Sequence, residues 1–320
     1  MIGNKSVVYL DQFAISNMVD AKEGDIWYDV KKVIEKYHSD GKIICPMSAE
    51  HVLETSQRDF KRAGMQDEFF WEISDGYTFW ALPYIIAGQI CELIKSKDLD
   101  TFYLEYNPNW NLAEEKCYNI VKLLFRDGKN DVNQNFGSFG RSKLNKIVKS
   151  KILHFDKHKK ALLQEILKQS QLFVFKQKID FVVENFDYIN ETIKSSPEQL
   201  IEIDLIILCL ILCFQFSKQD FCCLRSKLYM FEAKRIKSLD IEFNLCSYLH
   251  VNGGKVSMND IVDYRRIATG LPYSDVLFCD KKYKRYIIEL GLNKRYDAKI
   301  CSGTNEDLKY FLDYLYELYQ

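Results

Sequence analysis

The chain has 320 residues, 47% hydrophobic and 28% charged, enough apolar content for a sizeable core, which excludes a disordered chain. A formal net charge of -1 singles out no class of partner, so any charge argument rests on local basic runs. The ten cysteines form no C-x-x-C pair and mostly sit in apolar runs, which excludes a secreted disulfide scaffold and suggests buried thiols in a reducing, cytoplasmic setting.

In chain order, Val7-Val8-Tyr9-Leu10 enters at once as a short β-branched and aromatic run ending in Asp11, with no secretory leader ahead of it. It reads as a buried central strand with a carboxylate at its exit. Ile26, Val30, Val33, Ile34 and Tyr37 recur at helical spacing, and Ser39-Asp40-Gly41 stops that helix. Residues 42–46 give a second strand, and a helix starting at Ser48 carries Glu54 about two turns in. Strand, helix, strand, helix implies parallel pairing through right-handed crossovers.

From about 60 to 250 the periodicity is helical, with almost no strand signal: 83–97, 112–126, 142–155, 159–192, 198–216 and 225–239. Residues 127–140 are rich in Asn and Gly and read as a loop. The most apolar stretch, 205–216, falls short of the roughly 20 residues a membrane-spanning helix needs, so no membrane partner is expected. Alternation then returns. A helix starts at the capping-box-like Ser257-Met258-Asn259-Asp260 and runs to Gly270, where Leu-Pro-Tyr-Ser-Asp ends it. Val276 to Cys279 is a third buried strand leading into Asp280, followed by a helix over 282–290, a strand over 298–301 and a last helix over 305–319. Neither end has enough strands alone. One α/β core is therefore expected from 1–60 and 255–320, with 61–254 as a mainly helical insertion.

Asp11 and Asp280 share a place: each lies just beyond the C-terminal end of a buried strand, the edge where open parallel sheets build their sites. Glu54 can lean back over that edge, Asp263 lies two turns before the Leu-Pro-Tyr turn, and Asp275 just precedes the third strand. Carboxylates gathered this closely repel unless a cation neutralises them. All-oxygen donors suit Mg²⁺ or Mn²⁺, which keep waters and take further ligands from phosphate, and a pair of such ions can activate water against a phosphodiester. For each acid alone a local role competes: Asp260 fits a helix start, and Asp11 could simply cap the next helix.

At these residues the chain resembles the PIN-domain superfamily and, more broadly, PIN-like nucleases. Val7-Val8-Tyr9-Leu10-Asp11 is similar to that family's first strand and first acid, and residues 46–54 to its second-strand exit with Glu54 as the helix glutamate. Residues 263–270 resemble its late helix, and Val276 to Tyr283 the strand that ends in its last acid. The resemblance implies a three-layer α/β fold that cleaves single-stranded RNA with Mg²⁺ or Mn²⁺, through Asp11, Glu54, Asp280 and either or both of Asp263 and Asp275. It covers about a third of the chain, and the helical insertion has no counterpart in the family's common form. Toxins and defence effectors are a frequent calling among such nucleases. A non-catalytic PIN-like scaffold binding RNA or protein is the rival reading, and the insertion could serve a homodimer or a regulatory protein. An unrelated phosphate-binding α/β enzyme is disfavoured, because no glycine-rich turn follows a strand.

Basic residues supply the expected RNA contacts. Lys143 and Lys146 lie in a lysine-rich amphipathic run over 141–160, and Lys281, Lys282 and Arg285 begin one residue after Asp280. For each run a solvated helix face is the competing reading. His154 and His158 have zinc-like i, i+4 spacing without a third ligand, and His51 is read first as a packing residue near Glu54.

Overall fold

The computed structural model describes residues 5–48, 50–51, 60–96, 104–106, 156–195, 204–230, 233–252 and 256–319. Glu54, Lys143 and Lys146 lie outside these residues, as do the helices expected over 112–126 and 142–155 and the loop over 127–140. The chain divides into two units, one of 1–81, 101–117 and 262–320, the other of 82–100 and 118–261.

The first unit is α/β. Its strands β1 (Ser6–Tyr9), β2 (Ile43–Ile44), β5 (Val276–Phe278) and β6 (Lys299–Cys301) form one sheet, all parallel, in the order β2-β1-β5-β6. The two ends of the chain thus meet at its centre, where Val8 pairs with Val276 and Tyr9 with Leu277. Period-2 alternation splits the strand residues between two faces. Val8, Ile43, Val276, Phe278 and Cys301 join one buried cluster, together with residues of the helices α1 (Gln12–Asp20), α2 (Ile26–Ser39) and α12 (Asn305–Tyr319). Helix α2 forms where the spacing predicts it, burying Trp27, Val30, Val33, Ile34 and Tyr37, with Asp25 accepting from the Trp27 N–H as N-cap. Gly41, at φ 69°, lets the chain turn from α2 into β2.

The core reaches further than residue 60. Helix α3 (Phe60–Ser74) contributes Phe69, Phe70 and Ile73 to the same cluster, and the Cys45 N–H donates to the Ile73 carbonyl. The sequence reading of a strand-free middle is corrected by β3 (Tyr77–Phe79), which pairs antiparallel with β4 (Leu104–Tyr106). Each is three residues long, too short for period-2 alternation to register.

The second unit is helical: α4 (Leu82–Lys95), α5 (Lys157–Ser195), α6 (Leu205–Leu212), α7 (Lys218–Met230) and α8 (Lys237–Asn252). The single helix expected over 225–239 is instead the end of α7, a 3₁₀ turn at Ala233–Arg235 and the start of α8. Helix α5 packs on α7 and α8, and its Lys168 pairs at 2.8 Å with Asp240, which is fully buried on α8 and also bonded by Asn244. No helix among the described residues is long and apolar enough to cross a membrane. Cysteines are free thiols there, but not uniformly buried: Cys45, Cys91, Cys209, Cys279 and Cys301 are, whereas Cys213 is exposed.

Helix α9 (Met258–Gly270) leads into β5, with α10 (Lys281–Glu289) and the short α11 (Leu292–Arg295) between β5 and β6. Its start is a capping box, as the motif predicts. Asp260 Oδ2 accepts from the Ser257 N–H at 2.8 Å, and the Asp260 N–H donates to Ser257 Oγ. Its end, Gly270, lies flat against Tyr9: a Cβ there would come within 2.3–2.8 Å of the buried ring, so no larger residue lets α9 settle on β1 at this distance.

Candidate functional site

Four parallel strands share one C-terminal edge, and the residues that leave them there make the site. From β1 come Leu10 and Asp11, from β2 Pro46 to Ser48, from β5 Cys279 and Asp280, and from β6 Ser302.

Asp11 is 8% exposed and has two roles. Its Oδ1 caps α1 by accepting from the Gln12 N–H at 2.6 Å, and the same oxygen accepts from Nη1 of Arg266 on α9. Arg266 is 2% exposed, an unusual position for a guanidinium and one that requires a carboxylate partner. Burial pulls the pKa of Arg266 down, opposed by the electron-rich groups around it, among them Tyr9, Asp280 and Cys279. Both of these hydrogen bonds fall on Oδ1 of Asp11.

Asp280 occupies the N-cap position of α10 and is exposed, yet its side chain makes no capping bond. Its charge is felt at Arg266 and at Cys279, whose fully buried thiol is pushed well above the ordinary range by desolvation first and then by Asp280, Cys301 and Asp263. Asp263 is half-buried, one turn before Arg266 on the same face of α9. Asp11, Asp263, Arg266 and Asp280 are thereby brought to one end of the sheet. Asp275 is not. It precedes β5, where its N–H donates to the Val7 carbonyl and its Oδ2 accepts from the Val7 N–H at 2.7 Å, so it stitches β1 to β5 at the N-terminal edge. A parallel strand carries its leading and trailing residues to opposite edges, and that separates Asp275 from the other three.

Sequence reasoning assigned no role to Arg266, Glu50 or Asp307. Arg266 lies at i, i+3 from Asp263, but nothing local marks its pairing with Asp11, 255 positions away. Glu50, at the β2 exit, is 8% exposed with a buried Oε2 that finds no hydrogen-bond partner among the described residues. Asp307, in the first turn of α12, accepts from the Ser302 N–H at 2.8 Å and pairs with Lys284 of α10. Burial raises its pKa, but the Lys284 and Ser302 bonds outweigh this and hold it below the usual carboxylate value.

His51 is fully buried and its contacts set its tautomer. Nδ1 accepts from the Ser48 N–H at 3.0 Å, so the proton is on Nε2, which donates to the Leu10 carbonyl at 2.7 Å. Tyr9 extends the chain by donating from its hydroxyl to Ser48 Oγ. The packing reading of His51 therefore gains content: it fixes the residue just before Asp11. Desolvation lowers its pKa to about 4, against two backbone bonds that raise it. A folded pKa below the unfolded value near 6.5 means that stability is present above 6.5 and lost as pH falls toward 4. Over that window the loss expected from this one group is about 3 kcal/mol, from the pKa difference at about 1.4 kcal/mol per unit. Melting temperature should therefore drop between pH 7 and 4.5 in the native chain, and a His51→Gln variant should show a distinctly flatter profile. Equal slopes would remove His51 as the cause.

On α10, Lys281, Lys282 and Arg285 are exposed, starting at the same edge as Asp280. Lys282 lies over the Tyr283 ring and Arg285 over the Tyr286 ring, at 5.2 Å in each case. Arg285 also approaches Glu289 on the same helix at 3.8 Å, and these contacts hold the cationic side chains along α10. Among the described residues no group of three or more His, Cys, Asp or Glu side chains stands ready to hold a metal ion, and Glu54 is outside that set. No protein-family model, curated protein or solved structure matches the chain.

Proposed function

We propose that the chain is a PIN-like, metal-dependent endoribonuclease acting on single-stranded RNA, with Asp11, Asp263 and Asp280, and Glu54 beside them, as the acidic set. The observation that carries this reading is the meeting of Asp11 and Asp280 on neighbouring parallel strands, with Asp280 making none of the helix-capping bonds its position offers. A carboxylate kept out of its local structural use, beside a second one, suits a ligand at that edge.

The donors fit a hard cation. They are all oxygen, and Mg²⁺ or Mn²⁺ needs only one or two direct carboxylates, the rest of its shell coming from water and phosphate. Such an ion, when bound, supplies Lewis acidity toward the phosphate and acidifies a water. The chain's own residues do the rest. Arg266 holds Asp11 in one orientation, His51 holds the Leu10 backbone behind it, and Lys281, Lys282 and Arg285 offer cationic contacts for the phosphates of the strand. Lys143 and Lys146 belong to the same proposal as a second contact surface, and action in the cytoplasm as a toxin or defence effector is its biological extension by analogy.

One observation favours the rival reading of a non-catalytic PIN-like scaffold that binds RNA or protein. Arg266 already neutralises Asp11, as a site that had given up its cation would require. A direct assay separates the two: purified chain incubated with single-stranded RNA, with Mn²⁺ and with a chelator in excess. Cleavage should appear with the metal and stop with the chelator. Cleavage indifferent to chelator would sink the metal reading, and RNA binding without cleavage under either condition would establish the scaffold.

A further inference from the structure

Helix α5 spans 39 residues with a kink at Asn185, where the backbone leaves helical φ/ψ, and its two long faces differ in use. Leu172, Phe175, Ile179, Val182 and Val183 are buried within the second unit. On the opposite face, Ile166 (52% exposed), Phe173 (59%), Phe181 (55%) and Tyr188 (69%) form a stripe of large apolar side chains, extended by Leu162. Spacings of 7 and 8 residues keep Ile166, Phe173 and Phe181 on one side of the stretch ahead of Asn185, Tyr188 follows just beyond the kink, and the four positions are symmetric in sequence about Gln177.

Charge along the same helix is polarised. Between Lys157 and Lys176 there are five lysines and one glutamate, whereas residues 177–195 hold four acids and two lysines. This is the wrong sense for the helix itself, since a macrodipole favours acids at the N-terminus and cations at the C-terminus. Lys168 and Lys178 turn to Asp240 and Asp204 inside the unit, whereas Lys157 and Lys159 at one end and Glu184 and Asp187 at the other are exposed, Lys159 pairing with Asp156 and Asp187 with Lys218 at the surface. A charge gradient that costs the helix stability is explained if a partner helix runs the other way. Antiparallel pairing with an identical helix sets the basic half against the acidic half and opposes the two dipoles; parallel pairing would set like against like.

We propose that α5 is the interface of a twofold-symmetric homodimer, with two copies crossing antiparallel about Gln177. In this register Phe173 meets Phe181 of the second copy and Ile166 meets its Tyr188, so the four central apolar residues of the stripe find apolar partners, while Leu162 falls opposite Thr192. A recess of about 250 Å³ beside Gln177 and Phe181, lined also by Val174, Val182 and Ile189, is placed to accept an aromatic ring from across the axis. The inference is independent of the nuclease reading and holds equally for a scaffold.

Sedimentation velocity on the full chain over a range of concentrations should show a reversible dimer. A Phe173→Glu/Phe181→Glu variant should raise the dissociation constant by at least about 100-fold, because two central aromatic contacts are lost and four carboxylates meet at the axis. Both positions are over half exposed, so glutamate is tolerated in the monomer, and an unchanged circular-dichroism spectrum and melt would verify that. Orientation is read separately by oxidative cross-linking against the native chain as background. Gln177→Cys should couple to its own copy, and Leu162→Cys should not, because antiparallel crossing leaves those two positions about 45 Å apart along the axis. A chain monomeric at every concentration, a dimer indifferent to the two glutamates, or coupling at 162 but not at 177 would each overturn the proposal.

Discussion

Replacing Arg266 with methionine should destabilise the first unit by about 3–5 kcal/mol, the range for breaking a buried ion pair from one side. Arg266 is 2% exposed and its Nη1 meets Asp11, itself 8% exposed, so removing the guanidinium leaves a largely buried carboxylate without its ion-pair partner. Methionine matches the length of the alkyl stem, which confines the loss mainly to charge rather than to a cavity. A second substitution separates the two causes. Asp11→Asn in the Arg266→Met background removes the stranded charge and keeps an N-cap acceptor for the Gln12 N–H. That double variant should regain at least about 1 kcal/mol over Arg266→Met alone, a coupling of the size seen for residues in one charged network. Urea unfolding of the native chain and the three variants would measure this cycle. A single variant losing under about 1 kcal/mol would mean that the pair is worth no more than an exposed one.

What the sequence made legible here, and what it hid, follows from the range of each interaction. Asp11 and Asp280 were readable because a run of buried apolar residues followed by an acid is a local pattern, and because two partial α/β ends must share a sheet. Asp275 has the same local look as Asp280. Only the direction of travel along β5 distinguishes them, one at the entry and the other at the exit, and the hydrogen bonds of Asp275 to Val7 show its entry role to be structural. Arg266 was hidden for another reason. An arginine in an amphipathic helix is normally solvated, and nothing local shows that α9 turns this one inward to meet a residue at the other end of the chain. The pair β3 and β4 was hidden because its stability lies in pairing distant positions, Tyr77 with Tyr106 and Phe79 with Leu104, rather than in either three-residue strand. His51 was read first as a packing residue, but its tautomer was not legible, since it depends on the Leu10 carbonyl, 41 positions away.

The same pair decides how the nuclease reading should be tested by mutation. Asp11→Asn is the obvious substitution, but it strands Arg266 in the core, so lost cleavage could report lost folding. Asp280 is the cleaner probe. It is exposed and makes no capping bond; its backbone carbonyl accepts from the Lys284 N–H, and its charge acts on Arg266 and Cys279. Asp280→Asn keeps shape and hydrogen-bonding capacity and removes one negative charge. Stability should therefore change little, within about 0.5 kcal/mol as for other exposed positions. Cleavage should fall steeply. If a metal ion contributes several kcal/mol to the transition state, losing one of its carboxylates should lower the rate by about 10²–10³-fold, at about 1.4 kcal/mol per tenfold. Single-turnover cleavage of labelled RNA, with Mn²⁺ varied, gives the second half of the test: a metal ligand shifts the Mn²⁺ midpoint upward, whereas a residue touching only RNA lowers the rate at unchanged midpoint. An Asp280→Asn variant with the native rate and midpoint would take this carboxylate out of the chemistry. The edge would then keep Asp11 bound to Arg266, which is the arrangement a scaffold needs.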